Sequence, residues 1–135
     1  MAGYSATPLV RKLGIKPGYK LSVIGSPRDY AGLLGDLPAD VEISGRITTA
    51  ADFVHLFETR RASLAAHLEL LARTLKPQGM VWISWPKKSS GVASEVGGHT
   101  IRELALPLGL VDVKVCAVDE TWSGLKLVWR LEHRK

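Results

Sequence analysis

The segment LARTLKPQGMVWISWPKK, residues 71–88, restricts the possible folds more than any other part of the chain. It overlaps a predicted amphipathic helix over residues 60–75, whose leucines recur at helical spacing: Leu64, Leu68, Leu71 and Leu75. Lys-Pro-Gln-Gly at 76–79 ends this helix, because proline cannot continue it. Residues 80–85 are almost entirely apolar, which is typical of a strand buried on both faces of a parallel sheet.

Shorter patterns before and after this segment predict the same alternation of strands and helices. Further strands are predicted at residues 21–24, 40–43 and 52–57. Further helices are predicted at residues 8–13, 27–34 and 100–108. Ser26-Pro27 is interpreted as a helix cap followed by a first-turn proline, and Thr100 to Glu103 as a capping box. This order predicts parallel strands joined by crossover helices.

The last third of the chain predicts a β-hairpin. Its first strand places one set of alternating residues on one face: Val111, Val113, Val115 and Ala117. The opposite face then carries Asp112, Lys114 and Cys116. After a turn at 119–124, the second strand presents its own alternating set: Leu125, Leu127, Trp129 and Leu131. The fold class is therefore a three-layer α/β sandwich, with a mostly parallel sheet that ends in an antiparallel hairpin.

Length and composition indicate a single soluble domain over residues 1–135. No apolar run approaches the roughly 18 residues of a membrane helix, and the N-terminus lacks the apolar core of a signal peptide. The single cysteine, Cys116, cannot form a disulfide within the chain, which fits a reducing compartment. We therefore expect a cytoplasmic protein without a membrane partner.

Positive charge is concentrated at the N-terminus. The net charge is +5, and residues 1–20 carry four basic side chains and no acidic one: Arg11, Lys12, Lys16 and Lys20. Such a segment can contact the phosphates of a nucleic acid, or it can be a solvated basic end without a partner. The chain carries no zinc-finger spacing, arginine-rich run or RNA-binding strand motif, so the second interpretation is preferred.

Three stretches resemble a bacterial family of proteins that is defined only as domain of unknown function 3052. They are AGYSATPLVRKLGIKPG at 2–18, WPKKSSGVA at 85–93 and LGLVDVKVCAVDETWSGLKLVWR at 108–130. The resemblance extends over nearly the whole chain. It implies a small cytoplasmic protein with no assigned reaction.

At the level of the fold, the chain also resembles a reduced Rossmann-like S-adenosylmethionine methyltransferase. This likeness depends on LKPQGMVWISW at 75–85 and on the closing hairpin. It implies that S-adenosylmethionine is a possible cofactor, held by a glycine-rich turn after the first strand and a carboxylate after the second. The turn here reads IGSPRD at 24–29, with a single glycine, and the second strand ends in Ile43-Ser44-Gly45. The connection at 45–52 is also too short for an additional helix and strand.

Ligands of open α/β sheets bind beyond the carboxyl ends of the strands, so a candidate site is predicted there. The candidate ligand-binding residues at this edge are Gly25, Ser26, Glu58, Trp85, Lys87, Lys88, Ser89, Asp119, Glu120, Thr121 and Trp122. Lysines and a helix start attract anions, and indoles provide stacking faces, so a small anionic or nucleotide-like ligand or an acidic peptide would suit them. In the alternative interpretation, the lysines pair with Asp119 and Glu120 and the tryptophans cover the sheet edge.

No catalytic residue or metal site is predicted. The histidines lack metal-ligand spacing: His55, His67, His99 and His133. The preferred hypothesis is a non-catalytic binding or regulatory module without a cofactor. The alternatives are a methyltransferase with an atypical cofactor turn, a protein that assembles with a second copy through an edge strand at 111–117, and a nucleic-acid-associated protein.

Overall fold

A computed structural model describes residues 8–27 and 29–134. The strands are β1 Lys20–Ile24, β2 Glu42–Ser44, β3 Phe53–Phe57, β4 Met80–Pro86, β5 Leu110–Ala117 and β6 Trp122–Trp129. The helices are α1 Leu9–Leu13, α2 Tyr30–Leu34, α3 Arg61–Thr74 and α4 Gly98–Ala105. Three short 3₁₀ turns lie at Lys88–Ser90, Leu106–Leu108 and Leu131–His133. The predicted order of strands and helices is therefore confirmed.

All six strands form one sheet in the order β2-β1-β3-β4-β6-β5. The first four strands pair in parallel, and β6 runs antiparallel to both of its neighbours. Because β5 is antiparallel to β6, it runs in the same direction as β1 to β4. The predicted mixed sheet with an antiparallel end is confirmed, and β5 is an edge strand, as the assembly hypothesis requires.

Helices cover both faces of the sheet and enclose two apolar clusters. The leucines of α3 that were predicted to face inward are buried with Ile101 of α4 on one face. On the other face, α1 and α2 cover a cluster that includes Trp82, which is fully buried. The Trp82 indole N–H donates to the main-chain carbonyl of Leu13 at 2.9 Å and so fastens the end of α1 to the sheet. Within the part of the chain that the structure describes, no helix is long and apolar enough to span a bilayer.

Two predicted helix starts are wrong. Helix α2 begins at Tyr30 with Asp29 at the N-cap position, so Ser26 and Pro27 do not cap it. Helix α4 begins two residues earlier than Thr100. Thr100 instead accepts the N–H of Gly97 at 3.3 Å from the third helical position, so it stabilises the helix start from inside.

The predicted facing of β5 is also wrong. Asp112 lies opposite Leu127 and Lys114 opposite Lys126, so the strand carries a bulge at Val113. One extra residue reverses the facing of all residues beyond it. Val115 consequently lies on the sheet face opposite Val111, and Val113 and Val115 are 53% and 58% exposed.

On the partner strand β6, the predicted inward residues are buried: Leu125, Leu127 and Trp129. Leu131 is different, because the strand has ended before it. This leucine lies in the closing 3₁₀ turn and is 73% exposed. The prediction that it continues the alternation of the second strand is therefore wrong.

Candidate functional site

The carboxyl ends of β1, β3, β4 and β5 meet at one edge of the sheet, beside the start of β6. Gly25 follows β1 with a φ of 77°, a conformation that favours glycine. A Cβ atom at this position would lie 2.8 Å from the carbonyl oxygen of Phe57. Glycine is thus required here, because the turn after β1 packs directly on the end of β3. Ser26 follows, half-buried.

Glu58 is the first residue beyond β3, and it is only 5% exposed. Its carboxylate accepts a hydrogen bond from Ser63 Oγ at 3.0 Å and lies 2.6 Å from His67 Nδ1. Its own N–H donates to the carbonyl of Ser84 at 2.9 Å. Since its oxygens are engaged by α3, Glu58 joins that helix to the sheet.

The two tryptophans of the predicted site lie on opposite faces of the sheet. Trp85 of β4 is paired with Ser123, and Pro86 with Trp122, so consecutive positions alternate across the sheet. Trp85 packs against the cluster beneath α3 and α4. Trp122 instead contacts Phe57 edge-to-face at 5.2 Å between ring centroids. The two indoles therefore do not line one pocket.

Lys87 connects β4 to the hairpin turn. Its N–H donates to the carbonyl of Thr121 at 2.7 Å, and its Nζ to the carbonyl of Asp119 at 3.0 Å. The Asp119 carboxylate accepts the N–H groups of Thr121 at 2.8 Å and Trp122 at 2.7 Å. The expected link between Lys87 and Asp119 thus runs through a main-chain carbonyl, and both residues stabilise the turn.

The remaining predicted residues are exposed. Lys88 and Ser89 lie in the 3₁₀ turn after β4, and Glu120 lies at the tip of the hairpin. These side chains are accessible to a ligand at the same edge. Whether they bind one stays a prediction.

An open depression of about 630 Å³ lies beside this edge, at the start of α3. Its lining residues come from the end of β3, the first turn of α3 and the loop before α4: Thr59, Arg60, Ala62, Ala93, Ser94 and Glu95. Apart from Thr59, which follows Glu58 directly and was expected at the same edge, none of them was predicted to lie here. The pattern of the sequence contains no signal for this depression, because its two walls are more than thirty residues apart in the chain.

Glu95 holds the two walls of the depression together. Its N–H donates to the carbonyl of Thr59 at 2.7 Å, and its carboxylate accepts the N–H of Arg61 at 3.1 Å. The carboxylate therefore caps the start of α3, where unpaired N–H groups favour a negative charge. Arg60 is exposed at the rim, and within residues 8–27 and 29–134 it forms no ion pair.

A buried chain of hydrogen bonds crosses the opposite face of the sheet. His55 lies 2.6 Å from the Tyr30 hydroxyl through Nδ1 and 2.7 Å from Ser84 Oγ through Nε2. Burial lowers the pKa of His55 to about 3 and raises the pKa of Tyr30. A serine beside a histidine is a pattern of nucleophilic enzymes, but His55 and Ser84 are fully buried and Tyr30 is 6% exposed. The network is inaccessible to substrate and has a structural role.

The fold raises the question whether these residues suit S-adenosylmethionine. The turn at Gly25 lies at the end of β1, where ligands of open α/β sheets bind, while the space that a side chain would take is filled by the Phe57 carbonyl. After β2, the side chains on offer are the Ser44 hydroxyl and Arg46, whereas Glu42 lies at the other end of the strand. A hydroxyl and a guanidinium can bond ribose oxygens, and here Ser44 Oγ also accepts the N–H of Arg46 at 3.3 Å, whereas no carboxylate stands at this end of β2. No cluster of metal-ligating side chains occurs among the described residues.

Solved structures with a similar fold include several methyltransferases. A SAM-dependent methyltransferase from Aquifex aeolicus aligns with a TM-score of 0.57 and 15% identity, over 88% of this chain and 86% of that one. The Bacillus subtilis M1A22 tRNA methyltransferase TrmK aligns with a TM-score of 0.59 and 16% identity, over 95% of this chain and 68% of TrmK. TrmN from Thermus thermophilus aligns with a TM-score of 0.55 and 11% identity over 90% of this chain, which spans about half (47%) of TrmN.

At these identities the likeness concerns the fold, and the predicted Rossmann-like, methyltransferase-like architecture is confirmed. No protein-family model matches the chain, so the resemblance to domain of unknown function 3052 has no support from that comparison. A search among curated proteins also found no match. The chain therefore has the fold of S-adenosylmethionine-dependent methyltransferases. Its strands β1 to β5 run in the same direction, and β6 runs antiparallel to them.

Proposed function

We propose that this protein binds S-adenosylmethionine at the carboxyl edge of its sheet and transfers the methyl group to an acceptor. The observation that carries the proposal is the turn at Gly25, which packs on the Phe57 carbonyl at the edge where ligands of open α/β sheets bind. The methyltransferase fold of the structural neighbours supports this hypothesis over that of a module without a cofactor.

In this proposal the chain's own residues hold and orient the cofactor. Gly25 and Ser26 place the main chain of the turn at the end of β1, and Ser44 and Arg46 supply hydrogen bonds beyond β2. Arg60 has no ion-pair partner in the described part of the chain, so its guanidinium is available to a ligand carboxylate. When bound, S-adenosylmethionine supplies an electrophilic methyl group. The depression beside Arg60 has room for the group that accepts it.

The second candidate is a binding module on the same fold that performs no transfer. It is favoured by the end of β2, where Ser44, Gly45 and Arg46 stand without a carboxylate. Both candidates predict a ligand at the carboxyl edge. They differ only in whether a methyl group is transferred, so binding and transfer are measured separately.

Binding is tested by the melting temperature of the purified protein with and without S-adenosylmethionine and S-adenosylhomocysteine. A ligand at about 100 times its dissociation constant stabilises the folded state by about 2.7 kcal/mol, a rise of several degrees. Ala93→Trp, which places an indole in the depression, should reduce this rise. Val92→Trp is the matched control, because Val92 is an exposed neighbour that does not line the depression.

Transfer is tested by incubating the protein with methyl-labelled S-adenosylmethionine and a bacterial extract. Incorporation of label that Ala93→Trp abolishes and Val92→Trp preserves supports the enzyme. A melting shift without incorporation favours the binding module. No shift at millimolar ligand refutes cofactor binding and therefore the proposed function.

A further inference from the structure

Four lysines lie together on the α1 side of the sheet, around β5 and β6. Lys12 is in α1, Lys16 in the turn after it, Lys114 in β5 and Lys126 in β6. Lys114 Nζ donates to the main-chain carbonyl of Lys12 at 2.9 Å, and Lys12 Nζ to the carbonyl of Ala117 at 3.1 Å. These two bonds hold the end of α1 against the edge strand.

The register of the hairpin places two of these lysines face to face. Lys114 and Lys126 are direct partners across β5 and β6, and Lys126 is also the cross-strand partner of Trp82 in β4. Since the Trp82 indole bonds the carbonyl of Leu13, this face of the sheet is the one beneath α1. The lysines therefore form one surface, which we call the lysine cluster: Lys12, Lys16, Lys114 and Lys126.

No carboxylate in the described part of the chain pairs with the lysine cluster. Within residues 8–27 and 29–134, none of its members forms an ion pair. Asp112, the acid of β5, lies before the bulge and pairs with Arg102 of α4 at 2.9 Å on the other side of the sheet. Burial, followed by the charges of Lys114 and Lys16, lowers the pKa of Lys126, as expected for crowded cations.

The bonds of Lys12 and Lys114 to main-chain carbonyls do not account for the presence of Lys16 and Lys126. Like charges that are direct partners across two strands destabilise a sheet. A lysine on an edge strand can prevent unwanted pairing with another chain, which would explain Lys114 on β5. It would not explain Lys126, because β6 lies between β4 and β5 and has no free edge.

We propose that the lysine cluster binds the phosphate backbone of a nucleic acid. Lysine ammonium groups are point charges that suit successive phosphates and carry no base specificity by themselves. Lys12 and Lys114 each bond one main-chain carbonyl, and the other N–H donors of their ammonium groups are available to a phosphate. The four lysines are spread over α1, the following turn and two strands. This spread suits a chain of phosphates better than a single small anion. Binding would remove the mutual repulsion of the cluster. The proposal goes beyond the proposed function and is independent of it, because the depression lies beside α3.

The test is fluorescence anisotropy with a labelled 20-nucleotide RNA and a DNA duplex of equal length, measured over a range of KCl concentrations. Each neutralised phosphate contributes about −0.7 to the slope of log K against log [KCl] for a single strand and about −0.9 for a duplex. Lys126→Gln should make the slope shallower by about one contact and weaken binding about fivefold at 0.1 M salt. The arms with RNA and DNA identify which nucleic acid is preferred.

Arg73→Gln is the matched control, because it removes one charge from an exposed position on α3, across the sheet. Lys126→Gln should also retain or raise the melting temperature, since it relieves repulsion with Lys114. If it fails to fold, Lys16→Gln in the exposed turn replaces it. The proposal is overturned if the wild-type protein does not bind RNA or DNA at 50 mM KCl. It is also overturned if Arg73→Gln weakens binding as much as the lysine variant does, or if polyglutamate competes as well as RNA.

Discussion

Acid should destabilise this protein specifically through His55. The side chain is fully buried between Tyr30 and Ser84, and its pKa is lowered to about 3 because burial opposes the charged form. In the unfolded chain the same group has a pKa of about 6.5. Between these two values the unfolded state binds a proton that the folded state does not, so the free energy of unfolding decreases as the pH falls.

The size of the effect follows from the two pKa values. One pH unit within the window corresponds to about 1.36 kcal/mol, so at pH 4.5, about two units below the unfolded pKa, His55 costs about 2.7 kcal/mol. Above pH 7 both states are neutral and the cost disappears. This is a large fraction of the stability of a small domain, which is about 5–15 kcal/mol.

The assay is urea denaturation of the wild type and of His55→Gln at pH 7 and pH 4.5. The variant loses hydrogen bonds and should be less stable at pH 7 by about 1–3 kcal/mol. It lacks the titrating group, so this disadvantage should shrink by about 2.7 kcal/mol at pH 4.5. His99→Gln, at a side chain that is 92% exposed, is the control and should follow the wild type. If wild type and His55→Gln lose equal stability between the two pH values, the reasoning is wrong.

Two substitutions test local packing, one at the turn after β1 and one beneath α1. Gly25→Ala should destabilise more than Gly18→Ala in urea denaturation: both have positive φ, but only at Gly25 would the new Cβ meet a backbone atom, at 2.8 Å. The Gly18 variant should lose about 1–2 kcal/mol for its conformation alone, and equal losses would show that the turn after β1 can move away from β3. Trp82→Phe should cost about 1–3 kcal/mol, because it removes a buried hydrogen bond to the end of α1 and leaves a void. A melting temperature equal to that of the wild type would contradict the role of Trp82 in fastening α1.

The elements with strong local patterns could be predicted from the sequence. The leucine spacing of α3, the apolar run of β4 and the alternation of β6 each depend on neighbours within a few residues. Their order in the chain then restricts the topology, because parallel strands need crossover connections and a short turn needs an antiparallel pair. The carboxyl edge of the sheet as the place for a ligand follows from the same order.

The candidate site required the tertiary structure. Val113 becomes a bulge only through the register between β5 and β6, and a single extra residue moves Val115 to the face of the sheet opposite Val111. The opposite facing of Trp85 and Trp122 likewise follows from the pairing of β4 with β6.

The depression at Arg60 exists because Glu95 reaches the start of α3 across 34 positions of the chain. The lysine cluster exists because the hairpin register and the packing of α1 join Lys12 to Lys114, 102 positions further along the chain, and to Lys126 beyond it. Sequence patterns report which face of an element is apolar, whereas contacts of this kind depend on how separate elements settle against each other. Local periodicity therefore determined the architecture of this protein, and long-range packing decided where its cavities and charges lie.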